Sequence, residues 1–291
     1  MRLIKPVEIT PAKLISSNVP ETDYPAWVAG SYALGDRRIK DHHVYESLAA
    51  ANTADPSDAT KWLDVGFTNR WRMFDSKVES LTTNTGTIVA TIKPGAVVNS
   101  LALFNLQGKS VTVTMVDALE GEVYRKEVSL VDGAVTNWYD WFFEPVGRRT
   151  DLVILDMPAY GSANVAVTID AGPEVAAVGH LVLGAVKQIG TALYGSSVGI
   201  NDYSRKSTDD FGNTVVIQRS FSNRAEFDVA LDTSEVTRVR RLLAELRATP
   251  VVWIGEETYE ATILFGFYKD FQIVFSGPTV SDCSLTVEGV I

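Results

Sequence analysis

Gly195-Ser196-Ser197-Val198-Gly199 spells G-x-S-x-G, the pattern that exposes a nucleophilic serine on a tight strand-to-helix turn in α/β hydrolases. Its surroundings do not suit that role. The segment that follows, INDYSRKSTDDFGN, offers no amphipathic helix, and the three histidines, His42, His43 and His180, all precede the serine. The motif reads as a flexible turn. Asp41-His42-His43 is the one metal-like cluster. Adjacent histidines on an extended chain point to opposite sides, so surface or hydrogen-bonded roles are expected. Asp209-Asp210-Phe211-Gly212-Asn213 reads as a turn in which Gly212 supplies a positive φ, without the spacing of an EF-hand loop. No phosphate-binding or dinucleotide glycine motif follows a strand. Glycoside hydrolysis needs two carboxyl groups roughly 5–9 Å apart across a sugar, which no spacing encodes. The sequence therefore assigns no catalytic residue, cofactor or metal ligand, and a non-enzymatic protein is expected.

Aromatic residues offer more. If Asn137–Phe143 is a strand, Trp138 and Phe142 lie on one side, and Tyr139, Trp141 and Phe143 on the other. One face packs the core. The other meets intrachain cover, for which Trp27 and Tyr32 are candidates, or a ligand or subunit. Flat rings beside a residue such as Asp140 suit a sugar. Trp138, Trp141, Tyr139 and Trp71 are thus candidates for glycan or partner contact.

The elements that must carry these residues are mostly strands. Ile88, Ala90 and Ile92 alternate with Val89, Thr91 and Lys93; Val111, Val113 and Met115 with Thr112, Thr114 and Val116; and Val165, Val167 and Ile169 follow the same rule. Period-two alternation means one buried and one wet face. One helix is expected over about 233–248. Asp232 and Glu235 form a capping box, Val236, Val239, Leu243 and Leu246 share a face, and Pro250 closes it. The 45–62 stretch could hold a helical turn or two before Pro56. Residues 1–40, with three X-Pro steps, read as an extended N-terminal arm. The expected fold is mainly β: two β-sandwich or jelly-roll-like domains, 41–178 and 179–291, the second carrying the inserted helix.

Composition narrows the class. The 291 residues hold 26 Lys and Arg against 36 Asp and Glu, a net charge of −10, which disfavours a nucleic-acid partner. A lone Cys283 forms no internal disulfide, and the first 20 residues show no signal peptide or membrane span. No membrane insertion is expected. The basic residues Arg238 and Arg241 on the helix, and Arg205 and Lys206 in a charged hairpin, are candidates for subunit contact.

Three stretches carry a resemblance. The run WLDVGFTNRWRMFD from Trp62 to Asp75, preceded by Val44-Tyr45-Glu46-Ser47, is similar to a motif of tailed-bacteriophage virion proteins. Asp202-Tyr203-Ser204-Arg205-Lys206 with Asp210-Phe211-Gly212-Asn213, and the closing PVVWIG to SLTVEGVI, resemble distal-tail and tail-hub proteins. Without that family, Trp62, Trp71 and Phe74 read as anchors of a bend fixed by Asn69 and Asp75, with Arg70 paired to Asp64 or Asp75. The resemblance implies a structural tail-tip, distal-tail or fibre-adaptor subunit with a galactose-binding-like jelly roll. Such a subunit is made in the host cytoplasm and located in the virion tail. It assembles with other tail proteins and copies of itself as a symmetric homo-oligomer. The alternative is a carbohydrate-binding module recognising host-envelope glycans. A third reading, a glycan-degrading hydrolase, requires a close carboxylate pair in an aromatic cleft.

Overall fold

The computed structural model describes residues 1–131, 138, 147–208 and 211–291. Its strands in chain order begin with β1 (Arg2–Pro6), β2 (Leu14–Ser17), β3 (Arg37–Lys40), β4 (His43–Ser47), β5 (Trp62–Phe67), β6 (Thr82–Ile92) and β7 (Ser100–Phe104). They continue as β8 (Ser110–Asp117), β9 (Gly121–Ser129), β10 (Leu152–Ile154), β11 (Asn164–Val178), β12 (His180–Gln188), β13 (Thr191–Ala192) and β14 (Ser197–Asp202). The last are β15 (Arg205–Thr208), β16 (Thr214–Ile217), β17 (Phe221–Asp232), β18 (Val251–Ile254), β19 (Ile263–Val274) and β20 (Val280–Gly289). The helix α1 spans Val236–Glu245 after a 3-10 turn, Thr233–Glu235.

The chain is mainly β, with antiparallel sheets in a sandwich-like arrangement. A five-stranded sheet, β2-β6-β11-β8-β9, faces one end of a ten-stranded sheet ordered β10-β7-β12-β1-β18-β19-β20-β17-β13, with β14 also on β17. Between them lie the alternating residues expected from the sequence, Ile88, Ile92, Val111, Val113, Met115, Val165, Val167 and Ile169, all at most 1% exposed. Each such side chain contributes roughly 1.5–3 kcal/mol by leaving water. At the other end the ten-stranded sheet packs α1. Val236, Val239, Leu243 and Leu246 meet Phe227, Trp253 and Leu285 there. A third cluster, including Ile4, Phe104, Val182 and Phe265, fills the opposite face of the central strands.

Several expectations need correction. The first 40 residues, expected as an extended arm, are woven into the sheets. β1 is a central strand between β12 and β18, β2 is an edge of the five-stranded sheet, and β3 opens a small sheet β3-β4-β5. Leu3 and Ile4 are fully buried, on opposite faces of one sheet. Prolines broke the helical alternative here, but nothing local shows that a short apolar run fills a gap between strands far along the chain. The 45–62 stretch contains strand and turns, not helix. Asp232 caps the helix start by accepting from Ser234 N at 3.0 Å, yet Glu235 reaches forward to Arg238 rather than back. The chain crosses from β11 to β12 at Gly179. A Cβ there would lie 2.0 Å from the Val78 carbonyl oxygen, so only glycine fits.

Candidate functional site

The Trp62–Asp75 run builds a corner, as its residue types suggest. Trp62 is buried with its Nε1 donating to the Ala54 carbonyl at 2.9 Å and its ring edge-on to Tyr32. Asn69 ties the corner to β6 through both Thr83 backbone groups, at 2.8 and 2.9 Å. Asp75 accepts from Lys77 N at 2.9 Å. Arg70 does not pair with Asp64 or Asp75. It donates to the Val19 carbonyl at 2.7 Å and sits 3.5 Å from Glu21, because residues 18–23 fold back over the corner.

The β3–β4 turn lies against this corner. Asp41 and His42 both have positive φ, 50° and 68°, so the histidines diverge through a turn rather than an extended strand. His42 Nδ1 lies 2.8 Å from Glu21, while His43 Nδ1 lies 2.9 Å from Asp64. No group of three potential metal ligands occurs among the described residues. The His42 ring covers Trp71 at 4.5 Å, and Trp71 meets Phe74 edge-on at 5.7 Å. The result is a groove of about 500 Å³. Its walls are Phe67, Trp71, Phe74 and His42; the carboxylates Glu8, Asp41 and Asp75 line it, with Ile9 and Pro11. Burial holds the Asp75 carboxyl above the ordinary carboxylate range. Trp71 is only 5% exposed and its Nε1 has no partner. It therefore backs the groove, while the half-buried Phe67 and Phe74 present its apolar surface.

Past Phe74 the groove continues into a smaller cavity of about 250 Å³ lined by His180, Pro250 and Phe265. His180 is buried and lies tilted against the Phe265 ring, centroids 4.4 Å apart. Burial lowers its pKa to about 4, so the ring is neutral near pH 7. Its Nδ1 donates to the Met73 carbonyl at 3.2 Å, which fixes the tautomer, since a carbonyl only accepts.

The other sequence candidates are dispersed. Trp138 is 80% exposed; Tyr139 and Trp141, with the strand expected around them, lie outside the described residues. Lys40 lies over the Trp27 ring, and Tyr32 packs on Trp62. Ser197 stands on β14, where its Oγ reaches Glu226 at 3.5 Å, and no histidine contacts it. Arg205 and Lys206 are exposed on β15. Arg238 pairs with Glu235 and donates to the Gln188 carbonyl at 3.2 Å, while Arg241 is exposed. Glu8, Phe67 and, as a groove residue, Asp41 belong to no sequence motif. The local signal for them is Asp41 itself, since aspartate is one of the few residues that tolerates the left-handed conformation it adopts.

The β14–β16 region forms a ribbon outside the three cores. All eight residues of β15 and β16 are exposed, and Val198, Ile200, Val215, Val216, Ile217 and Phe221 are each about half exposed or more. Ser220 Oγ anchors the ribbon to Glu79 at 2.9 Å.

The sequence matches no known family and no curated protein. Among solved structures, the lectin domain of lectinolysin complexed with Lewis B antigen is similar at 14% identity, over 40% of this chain and 83% of that one, with a TM-score of 0.30. Chitosan-binding module 1, from a chitosanase/glucanase of Paenibacillus sp. IK-5, is similar at 12% identity over 40% and 84%, with a TM-score of 0.27. Similarity this low carries no functional inference. The virion resemblance in the sequence finds no support among these structures.

Proposed function

We propose that the chain is a non-catalytic carbohydrate-binding β protein whose ligand, a bacterial surface glycan, occupies the groove beside Trp71. The observation that supports this reading is the groove itself. Phe67 and Phe74 offer apolar ring surface to pyranose C–H groups, while Glu8, Asp41 and Asp75 accept from hydroxyls. The reading is tested on an array of bacterial surface polysaccharides. The wild type is expected to bind, and Phe67→Ala or Asp41→Asn to weaken binding about tenfold. Asparagine tolerates the left-handed φ at 41, so the corner stays intact. Absence of glycan binding by the wild type sinks the reading.

A second reading, favoured by the exposed ribbon, is a structural subunit of a bacteriophage tail, made in the host cytoplasm and carried in the virion with copies of itself. Unpaired strand edges and exposed Val215, Val216 and Ile217 suit addition of another chain. Arg205, Lys206, Arg238 and Arg241 would face an acidic neighbour. Immunogold label at the distal end of tails would support it. Isolated tails that leave the antibody unbound while the lysate contains the protein would count against it.

A further inference from the structure

A second pocket, of about 300 Å³, lies across the ten-stranded sheet between two loops. One wall is the β13–β14 turn, the other the loop after β18. The floor is Phe227, 1% exposed. Two tyrosines line this pocket, Tyr194 fully exposed and Tyr259 66% exposed. Both rings present an apolar body and a polar phenol tip to solvent at the pocket.

Both walls are held rigidly. Leu193 N donates to the Asp228 carbonyl at 2.7 Å, and Ser196 Oγ donates to the Leu193 carbonyl at 3.0 Å while accepting from Asp228 N at 3.1 Å. Gly195 takes a φ of 111°, and a Cβ there would stand 3.3 Å from the Asp228 carboxylate. Across the pocket, Glu256 N donates to Thr262 Oγ1 at 3.0 Å and Thr262 N to the Tyr259 carbonyl at 2.9 Å. A Cβ on Gly255 would come within 2.7 Å of the Phe227 ring, so the chain passes close over the floor.

The charge at this pocket is one-sided. Glu256 lines it and Asp228 lies under the turn, and neither is in an ion pair among the described residues. Among the described residues the Glu256 carboxylate accepts from Glu257 N, at 3.2 Å. Nearby side-chain cations are engaged, Arg2 with Glu257 and Arg224 with Glu226; the Met1 ammonium donates to the Gly190 carbonyl at 2.5 Å and also feels the Glu256 charge. Apart from the phenols, the pocket's hydroxyls, Ser196 and Thr262, are committed to backbone. Ring faces beside a carboxylate that is in no ion pair among the described residues suit a positive charge.

We propose that the Tyr194–Tyr259 pocket binds an organic ammonium group, held by cation–π contact with the two rings and by the Glu256 carboxylate. The site is independent of the Trp71 groove. The test is NMR titration of the whole chain with choline, with Nα-acetyl-lysine amide, and with 3,3-dimethylbutan-1-ol, the uncharged isostere of choline. Choline is expected to give saturable shifts. Tyr194→Ala or Tyr259→Ala should weaken it about tenfold, Tyr194→Phe should retain it, and the isostere should not bind. Preference for choline over the lysine derivative, or the reverse, identifies a quaternary or a primary amine as the ligand type. Glu256→Gln keeps the contact to Glu257 N and should weaken binding and flatten its salt dependence; it serves if a tyrosine variant fails to fold. Equal binding of choline and its isostere, shifts insensitive to all these substitutions, or no saturable shift with either cation would overturn the proposal.

Discussion

His180 and Asp151 carry opposite pH responses in one fold. Burial lowers the His180 pKa to about 4, against 6.5 for a free histidine. Above pH 6.5 the ring is neutral folded or unfolded; as pH falls from 6.5 to 4 only the unfolded chain takes up the proton, so folding loses about 3 kcal/mol. Asp151 is half-buried beside Glu260, and desolvation first, then that neighbouring charge, raises its pKa to about 6 from 3.8. Its stabilising share is complete below pH 3.8 and is lost as pH rises through 6, again about 3 kcal/mol. Between pH 4 and 6.5 the two trends oppose, so the wild type should show a shallow profile. Asp151→Asn should make denaturant stability fall steeply on acidification, and His180→Gln should make it rise. Parallel profiles for the two variants would refute this pairing.

At the scale of elements, the helix shows what a correct local reading leaves out. Its apolar face is legible from spacings of three and four, and Leu243 is fully buried. Leu243→Ala should lower unfolding stability by about 2–5 kcal/mol, read by chemical denaturation. The first 3-10 turn, and Glu235 pairing with Arg238 instead of closing a capping box, follow from competition for one carboxylate, which pattern alone does not rank. Lys5 bridging to Glu245 at 2.5 Å ties the helix surface to β1. Both side chains are about half exposed, so removing the pair should change stability by well under 1 kcal/mol. Gly179→Ala is a sharper test, because the added Cβ meets a backbone carbonyl that cannot rotate away. It should cost about 1–3 kcal/mol.

Across the whole molecule, one sheet passes through both halves of the chain. β7 and β10 lie on one side of β12, and β1 and β18 on the other. A fragment of residues 179–291 therefore lacks the strand that should separate β12 from β18. It is expected to be unfolded by circular dichroism and to regain structure when Met1–Pro6 is fused to it or supplied as a peptide. A fragment folding unaided would contradict this account. The groove beside Trp71 depends on the same architecture: Glu8 and Ile9 reach it only because β1 delivers the following residues across the corner.

Alternation at 88–92, 111–115 and 165–169 fixed which faces are buried, and the 236–246 spacing fixed the helix, because both patterns depend on neighbours two to four residues apart. The corner from Trp62 to Asp75 was likewise visible in its anchors and turn formers. Tertiary structure alone decided that Arg2–Pro6 is a central strand, that Arg70 meets Glu21, and that Phe67, Asp41 and Glu8 share a groove. It also placed Tyr194 and Tyr259, 65 residues apart in the chain, at one pocket. Those outcomes rest on pairings between distant segments. The energy of such a pairing comes from the surface both partners bury together, which neither segment's own sequence records.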